Sequence, residues 1–102
     1  MSITSQRNTI KELLNATEEI DHVTVYGWVR TKRDSKAFSF LELNDGSCLA
    51  SIQIIVDATI EDYPIVRSVT TGAAVRVTGK LVESPGKGQA WEIQARELEL
   101  IG

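Results

Sequence analysis

Val23–Asp57, VTVYGWVRTKRDSKAFSFLELNDGSCLASIQIIVD, decides the reading of this chain. It divides into three runs with strand periodicity, separated by turn residues. The first is apolar and then basic, ending Gly27-Trp28-Val29-Arg30-Thr31-Lys32-Arg33. The second places Phe38, Phe40 and Glu42 two residues apart, on one face, with Leu41 and Leu43 on the other. Asn44-Asp45-Gly46 is a turn signal. The third alternates again, Ile52, Ile54 and Val56 against Ser51, Gln53 and Ile55. Two aromatic rings and an amide thus share the polar side of a small sheet, beside a cluster of Arg and Lys. Aromatics left on a polar face call for something to stack on them, and a single-stranded nucleic acid fits that chemistry.

Outward from this stretch, Thr9-Ile10-Lys11-Glu12 is a capping box, with Ile10, Leu13 and Leu14 at helical spacing. A helix is expected from about Ile10 to Ala16. Strand one is expected over His22–Lys32, strand two over Ala37–Leu43 and strand three over Ser47–Val56, as a meander. Ile60, Ile65, Val66 and Val69 then recur near helical spacing, with Pro64 near the start and Gly72 as the stop, predicting a helix at about Asp62–Thr71. Strand four, Ala74–Val82, turns Val75, Val77 and Leu81 inward and Arg76, Thr78 and Lys80 outward. Strand five, about Ala90–Ile101, sets Trp91, Ile93 and Ala95 against Glu92, Gln94 and Arg96. Leu98 and Leu100 fall out of phase with Ile93, so a bulge is expected near Arg96-Glu97. The expected fold is all-β: a five-stranded OB-fold Greek-key barrel, with an N-terminal helix and a helix between strands three and four. Such barrels bind oligonucleotides on strands two and three.

Bulk properties limit the alternatives. The 102 residues are expected to form a single domain, with 42% apolar and 25% charged residues. No apolar run reaches the length of a membrane span, and the first residues have no signal-peptide character. Cys48 is the sole cysteine and His22 the sole histidine, so neither an internal disulfide nor a common zinc site is available. A cytoplasmic setting is expected. The net charge of -3 hides an uneven distribution: Arg30, Lys32, Arg33 and Lys36 lie close together while the acids sit elsewhere. That pattern favours a short, local nucleic-acid contact over coating of long strands.

The stretches GWVRTKRDSKAFSFLELNDGS, TTGAAVRVTGKLVESPGKGQAWEIQA and RELELIG resemble the N-terminal anticodon-binding domain of class IIb aminoacyl-tRNA synthetases. The run from Ser84 to Glu92 is most similar to the bacterial-type asparaginyl branch. The resemblance implies roles. Phe40 would stack on an anticodon base, Gln53 would read the central uridine, and Arg33 would contact that base or its backbone. Glu92 would sit at the same pocket. Beside the resemblance, an acid placed there is suited to accept from a base donor or to orient Arg33, and the basic cluster ending a strand beside the aromatic face is suited to phosphate, with Arg30 and Lys32 as the contacts. Discrimination of the third anticodon base would fall to the loop Ser84–Ala90, which contains Lys87. The expected partner is the anticodon loop of a tRNA, of asparagine type. The resemblance also implies a homodimer for a full-length enzyme. ATP and magnesium are expected only in a catalytic domain absent from this chain, and no cofactor is expected here.

Bland readings stand beside these. Phe38 is either a second stacking platform or packed rim. Trp28 and Trp91 are expected to be mostly buried structural residues, and Cys48 a small buried one. Gly86-Lys87-Gly88 lacks the remaining residues of a phosphate loop. No nucleophile–base pair is visible, so no catalysis is expected of the chain alone. A stand-alone OB module that binds single strands or a protein partner is the alternative.

Overall fold

The computed structural model describes residues 8–83 and 91–102. In chain order they form α1 (Ile10–Leu14), β1 (Ile20–Asp34), β2 (Phe38–Asn44), β3 (Ile52–Asp57), α2 (Tyr63–Ser68), β4 (Ala74–Glu83) and β5 (Trp91–Leu100). The strands close into a barrel in the order β1-β2-β3-β5-β4. Only the β3–β5 pair is parallel, the arrangement that an intervening helix permits. β1 makes the closure because it is long enough to serve two neighbours. Its first part, Ile20 to Trp28, pairs with β4, and its second part, Trp28 to Asp34, pairs with β2.

The alternation seen in the sequence fills the barrel. Val23, Val25, Val29, Leu41, Leu43, Ile52, Ile54, Val56, Val75, Val77, Leu81 and Ile93 are all buried. Removing any of the larger ones to Ala would cost about 2–5 kcal/mol. Ile10 and Leu13 of α1 join this cluster, as does Val66 of α2. The capping box forms as expected: Thr9 Oγ1 accepts from the Glu12 N–H, and Glu12 Oε1 accepts from the Thr9 N–H. Trp91 is buried, and its Nε1–H donates to the Ala16 carbonyl at 3.0 Å. Trp28 departs from expectation. It sits on the outer face of β1 and is 51% exposed.

β1 runs two residues further at each end than expected, and three other boundaries differ for a local reason. β3 begins at Ile52 rather than near Ser47. The Asn44 amide donates to the carbonyls of Cys48 and Ala50, and Asp45 accepts from both the N–H and the hydroxyl of Ser47. These side-chain bonds hold residues 45–51 as a loop in competition with a ladder. Gly46, at φ 81°, turns the chain there, and Cys48 is half-buried beside it rather than fully buried. α1 stops at Leu14, where the Asn15 N–H and side chain return to the Lys11 carbonyl. α2 stops at Ser68 because Val69 is already extended.

Three register shifts interrupt the ladders: one between Ile20 and Val23 of β1 against β4, and two bulges, at Arg96 and at Arg30. In β5 the ladder with β4 skips Arg96: Thr78 pairs with Glu97 but Gly79 with Ala95. This is the bulge expected near Arg96-Glu97. Gly79 is required opposite it, since a Cβ there would stand 2.1 Å from the Gln94 carbonyl oxygen. The second bulge, in β1, has no counterpart in the sequence reading. Val29 pairs with Leu43 and Thr31 with Glu42, leaving Arg30 as the extra residue.

Candidate nucleic-acid interface

The Arg30 bulge determines which basic side chains reach the outer face. Directly opposed residues of an antiparallel pair share a face. After the bulge, Thr31 is opposite Glu42 and Arg33 opposite Phe40, on the outside, while Lys32 is opposite buried Leu41, on the inside. An unbroken strand continuing the Val25–Val29 phase would do the reverse.

Arg33 exploits that position. Its guanidinium carbon lies 5.5 Å from the centroid of the Phe40 ring, within cation–π range. Phe38, two residues along β2, is 40% exposed, and its ring centroid is 6.2 Å from that of Phe40, tilted by 37°. On the next strand Gln53 is opposite Glu42, and across the parallel pair it is level with Glu92. Glu92 is buried at 4% exposure, and its Oε1 accepts from Gln53 Nε2 at 3.5 Å. Glu92 is thus not a solvated surface acid. Among the described residues its hydrogen bond is to Gln53, not to Arg33. With Nε2 directed at a carboxylate, the Gln53 oxygen is left as the acceptor for a ligand.

Thr31, Lys32, Arg33, Phe40, Leu41, Glu42 and Gln53 enclose a depression of about 310 Å³, at the lower end of the range for ligand sites. Of the residues singled out in the sequence it brings together Lys32, Arg33, Phe40 and Gln53, with the Lys32 ammonium itself bonded to the Arg67 and Val69 carbonyls. A flat base entering it meets a ring face, a guanidinium plane and an amide edge. A second depression of about 280 Å³ continues across the same sheet face, lined by Phe38, Ile55, Asp57, Gln94, Ala95 and Arg96. Gln94 and Arg96 are additions to the candidate set. The strand-five alternation already set them on the face of Glu92. Only the parallel β3–β5 pairing reveals that this face is continuous with Phe38.

Electrostatics around the site are uneven. Arg30, in its bulge, is exposed and has no ion pair among the described residues. Lys32, expected beside Arg30 among phosphate contacts, has its side chain only 13% exposed. Its ammonium donates to the carbonyls of Val69 at 2.8 Å and Arg67 at 3.2 Å, at the end of α2. Asp57, at the rim, is held below the ordinary carboxylate range by the N–H and hydroxyl of Thr59. Lys87 and the loop Ser84–Ala90 lie outside the described residues. No described helix is long and apolar enough to cross a membrane.

Comparison with known proteins bears on the family and the fold. Residues 23–101 match the tRNA anti-codon family model, described as an OB-fold nucleic acid binding domain. Asparagine–tRNA ligase of Oleidesulfovibrio alaskensis is 55% identical over 97 residues, covering 95% of this chain and 21% of that protein. The Nitratidesulfovibrio vulgaris asparagine–tRNA ligase is 57% identical over the same length and share. Asparaginyl-tRNA synthetase of Pyrococcus horikoshii superimposes with a TM-score of 0.80 at 19% identity, covering 94% of this chain and 23% of that one, a likeness of fold. The chain spans about a fifth of the length of the curated relatives it matches. With its barrel order, its aromatic and amide sheet face and these matches, the chain belongs to the tRNA anticodon family of OB-fold nucleic acid binding domains, in the form found in asparagine–tRNA ligases.

Proposed function

We propose that this chain recognises the anticodon loop of a tRNA of asparagine type on the outer face of β2, β3 and β5. The observation that carries the reading is the convergence of the Arg33-covered Phe40 ring with the Glu92-oriented Gln53 amide in one depression. Phe40 stacks on one splayed base, Gln53 accepts from a base N–H, and Arg33 closes over the same base. Phe38, Gln94 and Arg96 extend the platform to a neighbouring nucleotide, and Arg30 meets phosphate. Lys87 and its loop contribute to the choice of the third anticodon base. In an enzyme of the relatives' length this contact orients the acceptor end for ATP-dependent asparaginylation. ATP and magnesium then act outside this domain, in a cytoplasmic enzyme that is a homodimer.

The test is affinity for an asparagine-type anticodon stem-loop beside one altered only at the third anticodon base, at two salt concentrations. Tight binding that falls with the base change supports the proposal. Binding indifferent to the base and lost with salt overturns it in favour of a stand-alone single-strand module, since phosphate contacts alone carry no sequence information.

A further inference from the structure

We infer that Lys32 is a positioning residue for the Arg33–Phe40 pair, holding the outer end of the β1–β2 ladder against α2 rather than touching phosphate. The inference deepens the nucleic-acid reading above and rests on it for its effect on binding.

Among the described residues, the outer end of this ladder has no third strand beside β1: pairing of β1 with β4 stops at Trp28, and residues 30–34 have β2 as their ladder partner. What holds their position is α2, through two polar ties. The first is Lys32, whose ammonium has three donors. Two are engaged by the Val69 and Arg67 carbonyls, and Asp34 Oδ2 is 3.8 Å from the same nitrogen. Carbonyls at the end of a helix lack intrahelical donors and favour a cation. The second tie is Ser39, which is fully buried. Its hydroxyl donates to Asp34 Oδ1 at 2.5 Å, so the 2.9 Å contact with Tyr63 is one in which the Tyr63 hydroxyl donates.

The ladder register gives these ties their consequence. Successive pairs are Lys32 with Leu41, Arg33 with Phe40, and Asp34 with Ser39. The pair that presents the stacking surface is therefore bracketed by two pairs anchored to α2 on the opposite side of the ladder. Release of either anchor lets the hairpin end turn about its own axis, and Arg33 leaves the Phe40 ring.

The experiment compares wild type with Lys32→Met and Tyr63→Phe, at a temperature where thermal melts show each to be folded. In the protein without RNA, NMR reads the ring-current shift that Phe40 imposes on the Arg33 side chain. Both substitutions should reduce that shift. With the anticodon stem-loop, Lys32→Met should weaken binding about five- to tenfold, as expected for lost hydrogen bonds, and leave the salt slope unchanged. In a Phe40→Ala background the same substitution should cost less than about twofold, because a residue acting through Phe40 has nothing left to position. A wild-type Arg33 shift in both variants overturns the inference. So does a fall in the salt slope of about 0.7–0.9, the signature of one lost phosphate contact. If Lys32→Met does not fold, the Arg33 shift in Tyr63→Phe decides. If wild type binds no stem-loop, the anticodon reading fails, while the Arg33 shift still decides the role of Lys32.

Discussion

Gln53 and Glu92 stand level across the single parallel strand pair of the barrel, and the amide nitrogen of one donates to the buried carboxylate of the other. A carboxylate offers only acceptors, so the amide has one stable orientation, with its oxygen presented to the depression beside Phe40. Orientation of this kind is what separates a base-reading amide from a solvated one. Replacing Glu92 with Ala leaves the amide without its partner. Stem-loop affinity should fall, and the preference for a base with an imino N–H over one without should narrow. Paired titrations with the unmodified stem-loop and one carrying N3-methyluridine would measure this. Discrimination equal to wild type would remove Glu92 from the site.

Phe40 carries the stacking surface. Loss of one base–aromatic stack costs about 1–3 kcal/mol, so Phe40→Ala should weaken the stem-loop by roughly one to two decades. The ring is only half-buried, so the fold should survive with a similar melting temperature. Fluorescence anisotropy alongside a thermal melt would separate the two effects. Unchanged affinity would place the stack elsewhere on the sheet.

Asp45 links acidity to the seating of α1. Burial alone would raise its carboxyl. The Ser47 hydroxyl and the N–H groups of Ile10 and Ser47 outweigh this and hold it below the ordinary value of 3.8. A carboxyl lowered in the folded state binds its proton more readily when unfolded. Its stabilising contribution is therefore complete above the unfolded value and is lost as the pH falls through the folded one. The melting temperature should decline between about pH 5 and pH 3, more steeply in wild type than in Asp45→Asn. Melts followed by circular dichroism across that interval would test it, and parallel declines would assign the acid sensitivity to other groups.

Gly79 faces the β5 bulge with no room for a side chain, its missing Cβ lying 2.1 Å from a backbone oxygen. Gly79→Ala forces the β4–β5 pair apart and should cost about 1–3 kcal/mol or more. Chemical denaturation would show a lower midpoint. Gly72→Ala makes a useful contrast, since no atom lies within 4 Å of the added carbon and only its φ of 90° opposes it.

Much of this protein is legible in its linear pattern. The period-two alternation from Val23 to Val56 specifies strands and their buried faces, because each strand needs only its own residues to separate an apolar side from a polar one. The Thr9–Glu12 capping box and the phase slip between Ile93 and Leu98 are local in the same sense. Phe40 and Gln53 can be set on an outer face from their own strands. Tertiary structure decided what depends on a partner strand. Arg30 bulges just beyond the point where β1 passes from β4 to β2, and that one extra residue sends Arg33 outward to Phe40 and Lys32 inward to α2. Glu92 becomes a buried orienter of Gln53, and Gln94 and Arg96 join Phe38, only through the parallel registry of β3 and β5. Trp28 is exposed because, among the described residues, no layer packs over its side of β1. Pairing register is a relation between distant segments, and a shift of one residue reverses every side chain beyond it, so no single stretch of sequence contains it.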